Sequence, residues 1–280
     1  MGTGFRTFGL TALLLLAAMP ARPSVWSDQT APSSGPADSI GMPAAGCLAG
    51  AASLPLDGTG YQVIRISRIR YFGNPATVKF VEDLGRKAKT VGLADFYVGD
   101  MSLPRGGPMP NGHASHETGI DVDIWDNLDP KPALAPADRE NVPLPSMLTA
   151  NGKALDPGHF NARQVTLLRL AASDPRVDRI FVSPLIKRAL CQGEFSATVG
   201  DRSWLHRLRP WYGHDDHFHV RLACPAGSTD CVPQTPVPPG DGCDASLAWW
   251  FEPHPQPQPQ AAPPPRRPVL PAACQRLIQH

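Results

Sequence analysis

The sequence predicts a single α+β domain, and three observations carry that prediction. The chain has 280 residues, enough for one large hydrophobic core. Apolar residues at helical spacing (Val78, Val81, Leu84, Ala88 and Val91) lie between short segments that alternate with period two. Two of those segments, Asp121-Val-Asp-Ile-Trp and His217-Phe-His-Val-Arg-Leu, have an apolar back and a polar front, as strands with one buried face do.

The chain opens outside that domain. Arg6, the apolar run Leu10 to Met19 and small residues up to Ser27 predict a secretory signal peptide over residues 1–27, cut between about 21 and 27. The run is too short to span a bilayer comfortably and no later stretch comes close, so the mature chain is expected to have no membrane span. Residues 28–45, rich in Pro, Ser, Ala and Gly, predict an irregular leader.

The domain is expected over residues 46–251. Gln62-Val-Ile-Arg-Ile-Ser predicts a strand, and Asn74-Pro75 an N-cap with proline at the first helical position. The helix should run to about Thr90, before Gly92, and Phe96 to Val98 should form a short strand. A turn-rich stretch from Leu103 to Gly112 leads into the first histidines. Residues 126–160 predict a long loop, which in a compact domain is functional or mobile. Asn161 caps a second predicted helix carrying Val165, Leu168 and Ala172, which Asp174-Pro175 ends. Arg179-Ile-Phe-Val-Ser predicts a strand, and Leu185 to Leu190 a short helix. Residues 252–280 form a Pro/Gln-rich segment, with nine prolines among the 19 residues from Pro253 to Pro271. That composition predicts an extended, polyproline-like strap, tethered if Cys274 is bridged.

A net charge of +1 with no basic stripe argues against nucleic acid and gives no reason for binding an anionic membrane. Six cysteines without a CxxC pair, behind a signal peptide, suggest disulfides rather than a zinc–thiolate site. Fifteen connectivities are open, of which Cys224 to Cys231 is the easiest to close.

The chemistry concentrates in two segments, Gly112-His113-Ala-Ser-His116-Glu-Thr-Gly-Ile-Asp121-Val-Asp123 and Gly213-His214-Asp-Asp-His217-Phe-His219-Val-Arg221. They hold five of the nine histidines. On strands, Asp121 and Asp123 share one face, as do His217, His219 and Arg221. Imidazole and carboxylate together suit zinc, and three protein ligands leave a fourth position open for catalysis. A further histidine could act as general base and later protonate a leaving amine. Taken alone, each segment is more often a solvated strand face than a metal site, and the pattern does not say which histidine binds and which acts as base.

These residues resemble those of the penicillin-insensitive murein endopeptidases, within the lysostaphin, D-Ala-D-Ala carboxypeptidase and hedgehog-like group. The group's pattern is His-x6-Asp followed by His-x-His, here His116 to Asp123 and His217-x-His219. Closer likeness lies in Pro104-Arg-Gly-Gly-Pro, Gly112-His-Ala-Ser-His, Asp121-Val-Asp-Ile-Trp and Arg209-Pro-Trp-Tyr-Gly-His-Asp-Asp-His-Phe-His. The resemblance implies a mostly antiparallel sheet with flanking helices, and one catalytic zinc on His116, Asp123 and His219. It makes His217 the general base and brings His113 and His214 close to the metal. It also implies that Asp156 and His159 take part in additional metal binding, a pair that composition alone reads as a polar loop cluster. The cysteines would pair as Cys47–Cys274, Cys191–Cys243 and Cys224–Cys231. The implied activity is hydrolysis of D-alanyl cross-links in peptidoglycan, in the periplasm, with Arg105 and Arg221 as candidates for holding a stem-peptide carboxylate. The Pro/Gln-rich segment is longer than the family leads one to expect. A carboxypeptidase of the same group and a non-catalytic zinc-binding module are the competing readings. Oligomeric state is open, a homodimer included.

Overall fold

The computed structural model describes residues 25–110, 112–253 and 269–279. The bulk of the expected signal peptide and of the Pro/Gln-rich strap lies outside the described residues. Strand β1 (Asp38–Met42) pairs antiparallel with β2 (Ala45–Ala49), which corrects the reading of an irregular leader up to residue 45. The short Ser-Ile-Gly-Met run has no periodicity to advertise it. Besides β2 it has partners remote in sequence: Gly41 N–H donates to Asp230 O, and Val232 N–H to Gly41 O.

Short strands β3 (Ala52–Ser53), β4 (Asp57–Gly58), β5 (Tyr61–Val63) and β6 (Phe72–Gly73) follow. The strand expected from Gln62 to Ser67 therefore stops at Val63. Arg65 (φ 55°) and Ile69 (φ 54°) take left-handed backbone on either side of a 3-10 turn, Ile66–Arg68. Left-handed residues cannot continue a ladder, and Arg65 N–H turns instead to Arg139 O at 2.8 Å.

Helix α1 (Pro75–Thr90) starts where Asn74 accepts the Ala76 N–H at 3.0 Å, with proline in the first turn. It buries Val78, Val81, Leu84 and Ala88, whereas Val91, one residue past the helix, is 52% exposed. Next come β7 (Phe96–Val98), β8 (Asp121–Trp125) and α2 (Ala162–Ala172), the last opened by a capping box of Asn161 and Gln164. Then follow β9 (Val177–Val182), α3 (Pro184–Gln192), α4 (Ser196–Val199), β10 (Leu208–Pro210), β11 (His217–Leu222), α5 (Ala245–Ala248) and α6 (Ala272–Leu277).

Seven strands form one sheet in the order β10-β9-β11-β8-β7-β5-β4. The sheet is mixed, with antiparallel pairs in the majority: β9, β11, β8 and β7 pair antiparallel at its centre and β4 with β5 at one edge, but β5 with β7 and β9 with β10 are parallel. The cause is the crossovers. Helix α1 carries the chain from β5 to β7, and α3 with α4 carries it from β9 to β10, so each following strand runs the same way as its predecessor. One sheet face, with Val122, Ile124, Phe218 and Val220, joins the main core formed with Val81 and Leu84 of α1 and Val165 and Leu168 of α2. Each such side chain stabilises the fold by roughly 1.5–3 kcal/mol. Polar residues are left on the opposite face.

The long loop from 126 to 160 is pinned by a buried cation. Arg139 donates to Leu134 O, Leu56 O and Val63 O and pairs with Asp57 at 2.7 Å. Three disulfides, Cys47–Cys274, Cys191–Cys243 and Cys224–Cys231, are the pairs the resemblance implies. The first joins α6 to β2 inside a small cluster of Trp26, Ile40, Leu103 and Met109. No helix among the described residues is long and apolar enough to cross a membrane.

Candidate metal centre

Strand β11 runs antiparallel to β8 so that Arg221 faces Asp121, His219 faces Asp123 and His217 faces Trp125. With period-two alternation, those three rungs put both polar rows on one face of the sheet. His116 enters from the loop ahead of β8 with φ 72°, a left-handed conformation that costs a non-glycine residue energy. Its backbone N–H is held by Asp121 Oδ2 at 3.1 Å.

Four imidazoles converge on Asp123. His116 Nε2 lies 3.4 Å, His219 Nδ1 3.6 Å and His217 Nε2 3.9 Å from its Oδ1, and His113 Nδ1 lies 3.7 Å from its Oδ2. In each ring the other nitrogen is engaged by an oxygen that can only accept. His116 Nδ1 donates to Met101 O at 2.6 Å, His219 Nε2 to Asp121 at 2.7 Å, His113 Nε2 to Asp100 at 2.7 Å and His217 Nδ1 to Asp216 at 2.6 Å. In the neutral rings those bonds fix the tautomers and turn the remaining nitrogens toward Asp123, as histidines around a metal are oriented by their outer partners.

The donor set fits a cation. Asp123 Oδ1 and His116 Nε2 are buried with no hydrogen-bond partner among the described residues, and atoms so placed cost free energy unless something pairs with them. Two ligands bound to one zinc at tetrahedral angles stand about 3.3 Å apart, given bond lengths near 2.0–2.1 Å, which matches the separations around Asp123. His113, His116 and Asp123 can each bring one donor atom within 4.8 Å of the others. His219 is outside that closest group but reaches Asp123 as given above.

Charge around the site follows the same geometry. Burial would raise the Asp123 carboxyl, but His116, His217 and His219 hold it well below the usual range. Burial pulls His116 down, yet Asp123 with Asp121 and Asp100 pushes it up to about 9, so a cation must displace a proton there. His219 is taken down to about 4 by burial and by His116, against the pull of Asp121. His217 is raised: burial opposes, and Asp123 and Asp216 prevail. His214, lowered by burial and His217, lies with its ring 5.0 Å from the His217 ring at a tilt of 42°.

Other expected site residues lie elsewhere. Asp156 and His159 sit in a turn where Asp156 Oδ1 accepts Gly158 N–H at 2.9 Å, and neither belongs to the group around Asp123. Their loop reaches the site through Met147 N–H, which donates to Asp215 O at 2.6 Å. Arg221 is corrected as a substrate-facing residue, because it is buried and its guanidinium serves Asp121 at 2.6 Å and Gln234 at 2.9 Å. Arg105 is corrected too: it binds Ala31 O at 3.1 Å and Leu277 O, tying the two chain ends together.

Several participants were not legible as such. Asp100 orients His113 and pairs with Arg70 at 2.7 Å. Nothing in Val-Gly-Asp-Met marks it, since its role comes from β7 running beside β8. Asp216 was visible inside the His217 segment, but neighbouring residues on a strand point apart, and only the turn before β11 lets the two meet. Asp126 is fully buried with neither carboxyl oxygen partnered among the described residues, and burial, opposed by His217 and reinforced by Asp216 and Asp215, raises it to about 7.

The penicillin-insensitive murein endopeptidase family profile matches residues 39–279. Curated relatives of that description include one from Haemophilus influenzae, 44% identical, covering 97% of this chain and 94% of its own. One from Klebsiella pneumoniae is 42% identical over 96% of this chain and 97% of its own, and one from Escherichia coli is 41% identical at the same coverage. A match of this length, taking in both strands of the site and the residues that orient its histidines, means that the chain belongs to the penicillin-insensitive murein endopeptidase family.

Proposed function

We propose that this chain is an exported zinc endopeptidase that cuts D-alanyl–diaminopimelyl cross-links between stem peptides of peptidoglycan. The observation that carries the reading is the convergence of four oriented imidazoles on Asp123. Family membership supports the substrate class. We assign His116, Asp123 and His219 as zinc ligands, with His113 as a further donor beside them. The mixed nitrogen and oxygen set favours zinc over the harder cations. A cation held there supplies Lewis acidity, which activates water and polarises a carbonyl near neutral pH.

We assign His217 to proton transfer. Asp216 holds its Nδ1, and Nε2 faces the site at a longer reach than the nitrogens of His116 or His219. From there it can take the proton of an attacking water and return it to the departing amine. His214 lies beside it as a substrate contact. Asp156 and His159 offer only two donors, so a second ion there would draw further ligands from solvent or substrate.

Export to the periplasm agrees with the three disulfides. Trp26 is buried against Gly107, so we infer signal-peptide cleavage ahead of it. The chain has no Ser-x-x-Lys sequence, and an attacking water leaves no acyl-enzyme for a β-lactam to occupy. Penicillin should leave activity unchanged.

Digestion of purified peptidoglycan tests the reading. Cross-linked muropeptide dimers should fall to monomers without release of free D-alanine. Release of D-alanine from monomers with dimers intact would make the chain a carboxypeptidase instead.

A further inference from the structure

With Arg105 and Arg221 engaged in holding the fold, the carboxylates of a stem peptide still need a cationic partner. Arg65 stands out. Its guanidinium carbon lies 4.5 Å over the centre of the Trp125 ring, and Trp125 is both the cross-strand partner of His217 and in ring contact with it at 4.9 Å. The neighbouring arginines are committed, since Arg68 and Arg70 both pair with Asp100. Among the described residues, no hydrogen bond or ion pair is made by the Arg65 guanidinium, although it is only partly exposed. Burial and the nearby Arg68 disfavour its charge, with Asp100, Asp216 and Asp123 pulling only partly the other way, so an anion brought to it would relieve that cost.

The backbone reinforces the point. Arg65 and Ile69 both take left-handed φ values, and a β-branched residue there is a genuine outlier. Strain of this kind persists only where surroundings enforce it, and it gathers at binding and catalytic sites. Here the enforcement is the Arg65 N–H bond to Arg139 O, from the loop pinned by that buried arginine. The consequence is an arginine whose guanidinium lies over the Trp125 ring, beside the proton-transfer histidine. An ordinary surface arginine would be solvated on a flexible stem. Contact with the ring restricts that freedom, and a guanidinium over an aromatic face can still use its forked donors for a planar anion.

We propose that Arg65 is a substrate-binding residue which clamps a carboxylate of the stem peptide and so sets the register of the scissile amide against His217. The inference rests on the peptidoglycan endopeptidase reading. Among the free carboxylates of a cross-linked dimer, the two candidates are that of the diaminopimelate centre whose amine forms the scissile amide and that of the terminal D-alanine on the same stem. Guanidinium recognises both by the same paired hydrogen bonds.

The test uses the full exported chain with zinc, its Arg65→Asn and Arg65→Lys variants, and three muropeptide dimers: unmodified, amidated at diaminopimelate, and amidated at the terminal D-alanine. Asparagine suits left-handed backbone, so Arg65→Asn should fold, and an unchanged denaturant midpoint and zinc content check this. On the unmodified dimer, Arg65→Asn should raise KM roughly ten- to a hundredfold with a much smaller change in kcat. Arg65→Lys, which keeps charge but not the fork, should fall between. On one amidated dimer the wild-type protein should lose its advantage and match Arg65→Asn, which identifies the carboxylate. Equal KM for Arg65→Asn and wild type on the unmodified dimer would overturn the proposal. So would a difference that survives on both amidated dimers, or a loss confined to kcat. If the wild-type protein cuts no dimer at all, the peptidase reading falls first. If it cuts and Arg65→Asn cuts equally well, only this inference falls.

Discussion

Asp121 accepts the Nε2–H of His219 at 2.7 Å, across the β8–β11 pair, and in doing so turns His219 Nδ1 toward Asp123. The same carboxylate takes Arg221 Nε at 2.6 Å and the His116 backbone N–H at 3.1 Å. Asp121 therefore braces His219, Arg221 and the His116 backbone at once. Burial would raise its pKa, but Arg221 and His219 hold it well below the usual carboxylate range.

That bracing role predicts a specific defect. Asp121→Asn preserves shape but removes the charge and can present an amide N–H to His219. Zinc affinity should fall roughly ten- to a hundredfold, the usual cost of losing a partner that orients a ligand. Titration against a competing chelator measures it. An unchanged affinity would show that His219 needs no brace.

His217 and His219 are two residues apart on one strand yet are assigned different tasks. His219→Ala should lose zinc and activity together, and chelation should abolish activity with zinc restoring it. His217→Ala should keep zinc at full stoichiometry and lose turnover by about a hundredfold or more, as removal of a general base does. Metal analysis alongside activity separates the two. Equal loss of zinc from both variants would merge the roles.

The disulfides should differ in weight. Cys47–Cys274 spans 227 residues and Cys224–Cys231 spans 7. Chain-entropy arguments give about 5 kcal/mol for the longer closure and about 2 kcal/mol for the shorter, before any native strain. Denaturant unfolding of the paired Cys→Ala variants should rank them in that order. The reverse order would mean that the Trp26, Leu103 and Met109 cluster holds α6 without its covalent link.

Lys187 on α3 is buried, with Nζ donating to Leu205 O at 2.7 Å and Asp241 O at 2.6 Å. Burial lowers its pKa to about 7, although Asp241 pulls the other way. Between that value and about 10.4, the unfolded chain binds a proton that the folded protein does not, so this residue's contribution to stability rises with pH across the window. Below it both states are charged and the burial penalty is complete. Without metal, His116 acts in the opposite sense, since its raised pKa stabilises the fold at low pH and that help is lost as pH climbs through about 9. Comparison with Lys187→Met cancels the His116 contribution. The stability advantage of wild type over the variant should grow between pH 7 and 9 by at most about 1.4 kcal/mol per pH unit. A gap that shrinks over this range would mean Lys187 stays charged in the fold.

Much of this protein can be read along the chain. Asn74-Pro75 and Asn161 mark two helices because a cap and the hydrophobic spacing behind it are local properties. The alternation in Asp121 to Trp125 and in His217 to Leu222 separates core face from polar face by pleat geometry alone. From that pattern and the family likeness, the histidines and Asp123 are identifiable as a group. Tertiary structure decided what spacing cannot encode. The parallel pairs of the sheet arise from helical crossovers, and the hairpin of β1 with β2 is joined at Gly41 by partners beyond residue 225. Asp121 and Arg221 pair because β8 and β11 meet in one register, which gives a strand-face charge the task of bracing a ligand. Arg65 reads as part of a strand in sequence, yet a buried arginine from a distant loop holds its backbone left-handed and lays its side chain on Trp125. Local pattern determines which residues are polar and which way they face. Contacts between segments more than 70 residues apart decide which of them are spent on the fold and which are left for substrate.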